Sequence, residues 1–207
     1  VILRGAAEAS ELSIMFPMIG SLEEFRAARE AVRKAEDSLL SDGLPHYSYP
    51  MLGMMVELPS VVPLMEEFAR EADFFSVGTN DFVQYTLGVD RGNQAVAAYY
   101  RPEHPAVLRS IDQVVKVAGR YRKDVTICGE MAHEVRFASF LLGIGVRRFS
   151  VAPHYLPEFQ KTLEAMDSRS AAEIARQVLR CSEARDVEAI LVGSKDGPII
   201  SRARPNN

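Results

Sequence analysis

Phe74-Phe-Ser-Val-Gly-Thr-Asn-Asp81 is a short apolar run that passes directly into a glycine and three polar residues. A brief apolar run bounded by a turn signal is typical of a buried strand. The glycine at its end allows the backbone to approach a ligand, and successive backbone N–H groups there can form an anion-binding concavity. The stretch therefore predicts a buried strand at 74–77 with a binding loop at its carboxyl end.

Strand and helix patterns alternate on both sides of this stretch. Apolar runs predict further strands at 13–16, 51–56, 125–128 and 149–151. Apolar residues at three- and four-residue spacing predict helices at 25–39, 61–72, 105–118 and 134–142, and two or three more within 156–191. Residues 78–103 are predicted as a long polar connection. This alternation predicts an α/β fold with a parallel sheet covered by helices, and it leaves open whether the sheet is a barrel.

The composition is typical of a globular domain, since 47% of the 207 residues are hydrophobic and 25% are charged. A net charge of -4 argues against a nucleic-acid partner, because phosphate binding normally needs a basic face. Apolar stretches are far shorter than the about 20 residues of a membrane-spanning helix, so we expect no membrane partner. Cys128 and Cys181 lie in different settings, which predicts free thiols and a cytoplasmic location.

Two carboxylates follow consecutive predicted strands. Glu57 ends the apolar run Gly53-Met-Met-Val-Glu57, and Asp81 follows the strand at 74–77. Because neighbouring parallel strands would bring these carboxylates close together, they are candidate ligands for Mg²⁺, which takes one or two carboxylates together with substrate oxygens and water. The same residues also fit a helix N-cap at Asp81 and a buried ion pair at Glu57.

Arg91 lies in Val89-Asp-Arg-Gly-Asn93, in the polar connection that follows Asp81. The planar guanidinium of arginine binds phosphate through two parallel hydrogen bonds. Arg91 is therefore a candidate phosphate ligand, although the residue also fits a surface position without a ligand.

Cys128 stands at the end of a predicted strand, in Cys128-Gly-Glu130. Its place at the strand edge beside a glycine makes a role in a site plausible, while a small thiol more commonly serves as core packing. Cys181, on a predicted helix, is expected to be inert.

Four segments together resemble the phosphoenolpyruvate-binding domain of enzyme I of the bacterial phosphotransferase system. They are Ile14-Met-Phe-Pro-Met18, Gly53-Met-Met-Val-Glu-Leu-Pro59, the long run from Asp73 to Asn93, and Ile127-Cys-Gly-Glu-Met-Ala132. The resemblance covers about residues 1–190. Gln84-Tyr-Thr-Leu87 and the Glu-Met-Ala after Cys-Gly favour enzyme I over pyruvate phosphate dikinase and phosphoenolpyruvate synthase.

The resemblance implies a fold, a dimer and a domain organisation. The fold would be a (β/α)₈ TIM barrel of the phosphoenolpyruvate/pyruvate type that forms homodimers. The first barrel strands would be missing, because the chain begins at Val1 without a Met and too far into the family pattern. We therefore expect the C-terminal part of the barrel at 1–192 and a disordered or loosely held tail at 193–207.

The resemblance also implies roles for individual residues. Glu57 and Asp81 would bind Mg²⁺, and Asn80 with the Thr79–Asp81 backbone would contact the substrate. Arg91 would bind the substrate's phosphate, and Cys128 would be the acid that protonates the enolate carbon as pyruvate forms.

The implied activity is a phosphoenolpyruvate-dependent phosphotransfer. Phosphate would pass to a histidine of an N-terminal domain that this sequence does not contain, and then to a histidine phosphocarrier protein. We expect the fragment alone to be inactive for this reason. Sugar-transporting and nitrogen-regulatory branches both remain open.

Two alternative functions remain open. One is a Mg²⁺-dependent aldolase or lyase acting on a pyruvate enolate, although such enzymes lack the Val-Asp-Arg and Cys-Gly-Glu motifs. The other is a dimerisation or regulatory module with no activity of its own.

Overall fold

Within residues 1–193, the part of the chain that the computed structural model describes, one parallel sheet contains five strands. They are β1 (Ser13–Phe16), β2 (Met51–Val56), β3 (Phe74–Gly78), β4 (Asp124–Cys128) and β5 (Arg148–Phe149). Each strand pairs in parallel with the next along the chain, so the order in the sheet follows the order in sequence. A doubly wound sheet reverses its strand order, whereas consecutive strands of a barrel are neighbours. The fold is thus α/β, and its five consecutive strands are arranged as neighbouring strands of a (β/α)₈ barrel are.

Helices fill the connections between the strands and follow the last one. The α-helices are α1 (Ile2–Gly5), α2 (Leu22–Ser41), α3 (Met65–Glu71), α4 (Thr79–Leu87), α5 (Pro105–Arg120), α6 (Val135–Gly143), α7 (Leu156–Glu164), α8 (Ser168–Arg180) and α9 (Ala184–Gly193). Short 3₁₀ turns lie at Pro59–Leu64, Ala97–Tyr99, Glu130–Ala132 and Pro153–Tyr155.

The apolar core lies between the central strands and the helices that cover them. Met54, Phe75 and Ile127 are fully buried on β2, β3 and β4. They belong to one buried cluster with large side chains of the helices, namely Phe25, Phe68, Phe82, Phe137 and Phe140. The edge strands β1 and β5 are only partly buried. The core thus holds the carboxyl ends of β2, β3 and β4 in fixed positions.

Most predicted elements are present, and the differences have local causes. β1 and β2 match their predicted ranges, and β3 and β4 are each one residue longer. The predicted helix at 61–72 begins as a 3₁₀ turn that contains Pro63, because proline cannot donate the hydrogen bond that an α-helix requires there. The prediction of 78–103 as a polar connection is wrong for its first part, since α4 starts directly after β3.

The remaining sequence predictions concern the cysteines and the C-terminus. Cys128 and Cys181 are free, as predicted. None of the helices within 1–193 has the length and apolarity needed to cross a membrane. The predicted tail lies outside the described residues except for Gly193, which ends α9.

A close contact at Gly143 predicts a large effect on stability. A Cβ atom at this position, the end of α6, would overlap the Ala171 carbonyl oxygen and lie 2.8 Å from the Ala175 Cβ of α8. We expect Gly143→Ala to lower the free energy of unfolding by about 1–3 kcal/mol, because overpacking forces the backbone to shift. Urea denaturation would measure this change.

Gly119→Ala is the matched control for that experiment. Gly119 lies inside α5, where an added Cβ would meet nothing within 4 Å. Because alanine favours a helix over glycine, this variant should be neutral or more stable by up to about 1 kcal/mol. Equal destabilisation by both substitutions would contradict the packing argument.

Candidate active site

Most of the predicted site residues lie at the carboxyl ends of three neighbouring strands. Glu57 follows β2 directly, Thr79–Asp81 follow β3, and Cys128 ends β4. The register pairs Val56 with Val77 and Gly78 with Cys128, so the three strand ends are level. Parallel (β/α) folds place their sites at this edge of the sheet.

The Glu57 carboxylate is buried, and no cationic side chain within residues 1–193 pairs with it. Glu57 is 7% exposed, and its Oε2 accepts a hydrogen bond of 2.8 Å from the Met18 N–H. No ion pair within residues 1–193 involves this carboxylate, so the alternative of a buried ion pair is not supported. A Cβ at Gly78 would lie 2.8 Å from the Glu57 Cγ, so only a glycine leaves room for this side chain. A buried charge with one hydrogen bond is costly, which suits a cation-binding role.

Asp81 lies inside the first turn of α4 rather than at its N-cap. The N-cap residue is Gly78, and no side chain caps this helix end. The Asp81 Oδ1 is 3.7 Å from the Arg91 Nη2, and the two side chains are 34% and 45% exposed. The Arg91 N–H also donates to the Gln84 Oε1 at 3.2 Å. Arg91 therefore reaches the predicted edge, and both charged groups remain accessible to a ligand.

Thr79 and Asn80 join the end of β3 to the turn after β4. The Thr79 hydroxyl donates to the Cys128 carbonyl oxygen at 2.7 Å, and the Glu130 N–H donates to the Asn80 Oδ1 at 2.9 Å. Gly129 between them has φ +86, and a Cβ there would lie 2.5 Å from the Thr79 Oγ1. The turn thus requires glycine both for its backbone conformation and for this close approach.

The Cys128 thiol is half-buried at the end of β4, where it contacts β3. Its Sγ accepts a hydrogen bond from the Ser76 hydroxyl at 3.4 Å and donates to the Val77 carbonyl oxygen at 3.3 Å. Burial raises the pKa of Cys128; the Ser76 hydrogen bond opposes this, and the Glu57 and Asp81 carboxylates raise it further. The thiol is therefore protonated at neutral pH and has a proton to give.

Comparison with known proteins identifies the family. Residues 1–168 match the family model of the PEP-utilising enzymes, in its PEP-binding domain, where PEP is phosphoenolpyruvate. The chain belongs to the PEP-utilising enzymes.

Similar sequences support the same assignment of this PEP-binding domain. Multiphosphoryl transfer protein 1 of Escherichia coli K12 is 40% identical over 186 residues, which are 90% of this chain and 22% of that protein. A phosphoenolpyruvate-protein phosphotransferase of Staphylococcus epidermidis is 36% identical over 188 residues, 89% of this chain and 33% of that protein. These relatives confirm the predicted resemblance to enzyme I, which is a phosphoenolpyruvate-protein phosphotransferase. The chain spans only about a fifth to a third of their length.

A solved structure shares the fold of the PEP-binding domain. A citrate lyase from Burkholderia xenovorans LB400 superposes with a TM-score of 0.53, covering 91% of this chain and 65% of that chain. Its sequence identity of 16% makes this a likeness of fold alone.

Two polar residues beside this candidate site were not among the sequence predictions. Tyr100 donates a hydrogen bond from its hydroxyl to the Asn80 carbonyl oxygen at 3.3 Å. Its loop has no periodicity from which this contact could be predicted. Ser76, which is 6% exposed, was detectable as the one polar residue in the apolar strand 74–77.

Proposed function

We propose that this chain is the phosphoenolpyruvate-binding part of a phosphotransferase of the enzyme I type. The complete protein would move phosphate from phosphoenolpyruvate to one of its own histidines and on to a histidine phosphocarrier protein, releasing pyruvate. The observation that carries the proposal is the meeting of three groups at one sheet edge. They are the buried Glu57 carboxylate, the Asp81–Arg91 pair and the protonated Cys128 thiol.

Glu57 and Asp81 would hold Mg²⁺ in this proposal. Their oxygens suit a hard cation, and Glu57 has a negative charge that no cation within residues 1–193 neutralises. No three His, Cys, Asp or Glu side chains converge in the described part of the chain, so a two-carboxylate set is what it offers. Bound Mg²⁺ would supply positive charge to the phosphate and carboxylate oxygens of the substrate.

Arg91 would bind the phosphate that leaves. Its side chain is 45% exposed, and its contact with Asp81 is long, at 3.7 Å. Guanidinium N–H groups therefore remain accessible to phosphate oxygens. Catalysis of phosphoryl transfer depends mainly on positioning and on neutralising charge. In the transfer, the bond between phosphorus and the enol oxygen breaks, and a histidine nitrogen bonds to the phosphorus.

Cys128 would then complete the formation of pyruvate. Breaking the phosphorus–oxygen bond leaves an enolate, whose terminal carbon takes the proton of the Cys128 thiol. The resulting thiolate regains a proton from solvent. The raised pKa of this thiol supports the role, because the group must hold its proton until the enolate forms.

The carrier protein, the homodimer and the cytoplasmic location belong to the same proposal, on the likeness to enzyme I. A lyase is less well supported. The citrate lyase shares only the fold, and the loop residue Arg91 beside Asp81 and the thiol at the end of β4 suit a departing phosphate and a protonated enolate.

Phosphoenolpyruvate carrying a radioactive phosphate tests the proposal. With Mg²⁺, the complete protein that contains this chain should become labelled on a histidine and should release pyruvate. The 207-residue chain alone should take up no label. Label on His46, His104, His133 or His154 would contradict this assignment, and cleavage of a pyruvate-containing substrate without labelling would favour a lyase.

A further inference from the structure

The loop that carries Arg91 is fixed to the rest of the domain by side-chain contacts. We call residues 88–104 the Arg91 loop; it leaves α4 after Leu87 and enters α5 at Pro105. One contact beside the site is the hydrogen bond from the Tyr100 hydroxyl to the Asn80 carbonyl oxygen, at 3.3 Å. Asn80 lies in the first turn of α4, next to Asp81. One side chain therefore joins the end of the loop to the turn that carries the site.

Tyr100 lies among the charged groups of the site, whereas its neighbour in sequence does not. Tyr99 is 69% exposed, while Tyr100 is half-buried and packs against the core. Burial is the main cause of a raised pKa at Tyr100; Glu130 raises it further and Arg91 lowers it. The hydroxyl therefore remains a neutral hydrogen-bond donor at neutral pH.

Glu103 fixes the far end of the same loop. It is 6% exposed, and its Oε1 accepts a hydrogen bond of 2.7 Å from the Arg101 Nε. Its Oε2 is 3.7 Å from the Arg136 Nη1, near the start of α6. Because the start of the loop is held by Gln84 of α4, to which the Arg91 N–H donates at 3.2 Å, Tyr100 is the contact that holds the later part of the Arg91 loop against α4.

We propose that Tyr100 is a positioning residue for phosphoenolpyruvate binding, because its hydrogen bond to Asn80 holds the Arg91 loop where the Arg91 guanidinium lies beside Asp81. This inference rests on the proposed function for the phosphate-binding role of Arg91. Without the hydrogen bond, the loop would have to be ordered when the substrate binds, and that entropy cost would weaken binding. Tyr100 itself does not take part in the chemistry.

Tyr100→Phe tests the proposal, because it removes the hydroxyl and keeps the ring that packs on the core. In the complete protein the KM for phosphoenolpyruvate should rise about fivefold, the effect of one net hydrogen bond, while kcat stays within about twofold. Trypsin should also cut after Arg91 faster in the absence of substrate, because the loop opens more often. The thermal midpoint should be little changed.

Tyr99→Phe is the matched control, since its hydroxyl lies on the exposed neighbour and makes no hydrogen bond within residues 1–193. It should change neither KM nor the cleavage rate. An unchanged KM in an active Tyr100→Phe enzyme, or a fall in kcat alone, would overturn the positioning role. Faster cleavage after Arg91 in a protein that does not turn over phosphoenolpyruvate would overturn the proposed function and still support the loop contact.

Discussion

Cys128→Ala should slow the conversion of phosphoenolpyruvate to pyruvate in the complete protein by about 10²–10⁴-fold, the usual contribution of a positioned proton donor. The substrate phosphate should still bind, because Arg91 and the carboxylates are unchanged. The fold should remain intact, since the side chain is small and only half-buried. Pyruvate formation under steady-state conditions measures the effect, and urea denaturation checks the fold.

Cys181→Ala is the control for this experiment. Cys181 is also half-buried, but its Sγ donates to the Gln177 carbonyl oxygen at the end of α8, away from the strand ends. Activity should not change. A fully active Cys128→Ala enzyme would show that Cys128 is not the proton donor and serves only in packing. It would also remove a main argument for phosphotransfer.

Glu57→Gln should abolish Mg²⁺-dependent turnover, with a loss of at least about 10²–10³-fold, because the site would lose half of its negative charge at the metal. The glutamine has nearly the same shape, and its amide oxygen can still accept the hydrogen bond from the Met18 N–H. Stability without metal should be unchanged or higher, because a buried carboxylate without a cation is costly. Calorimetric titration with Mg²⁺, turnover and urea denaturation measure the three effects.

Glu67→Gln serves as the matched control for the metal experiment. Glu67 is a partly buried carboxylate on α3, in the helical layer outside the sheet. It should affect neither Mg²⁺ binding nor turnover. A Glu57→Gln enzyme with normal Mg²⁺-dependent activity would contradict the proposed metal site.

The sequence was sufficient to predict β1 to β4 and the side chains at their ends. β1 and β2 are short apolar runs closed by proline or by Glu57, so the local pattern alone determines them. The approach of Glu57, Asp81 and Cys128 to one edge followed from parallel pairing, which brings successive carboxyl ends together.

What the sequence could not predict depends on contacts between distant residues. α4 was not predicted, because it begins without a connecting loop and its first turn is polar. Phe82 and Val83 are buried, but two adjacent apolar residues after a polar turn do not form a recognisable helical pattern. The Met18 N–H donates to Glu57 across 39 residues of sequence, and Met18 itself has φ +54, a left-handed conformation that no local pattern indicates for a methionine. β5 runs from Arg148 to Phe149 rather than over the predicted 149–151: the Ser150 N–H still donates to the Ile127 carbonyl oxygen at 2.8 Å, but no described residue beyond Phe149 has a register partner on β4.

The order of the strands also determines how the chain can fold. Residues that pair between β3 and β4, such as Phe74 with Asp124, are separated by more chain than the paired residues of any other two neighbouring strands. The entropy lost in closing a loop increases with its length, so this pairing is the costliest one for an unfolded chain to make. The pairing of β3 with β4 places Gly78 opposite Cys128, and the Thr79 hydroxyl donates a hydrogen bond to the Cys128 carbonyl oxygen. A newly synthesised chain therefore completes this candidate site only when the two halves of the sheet have joined, and partly folded chains lack the complete set of side chains.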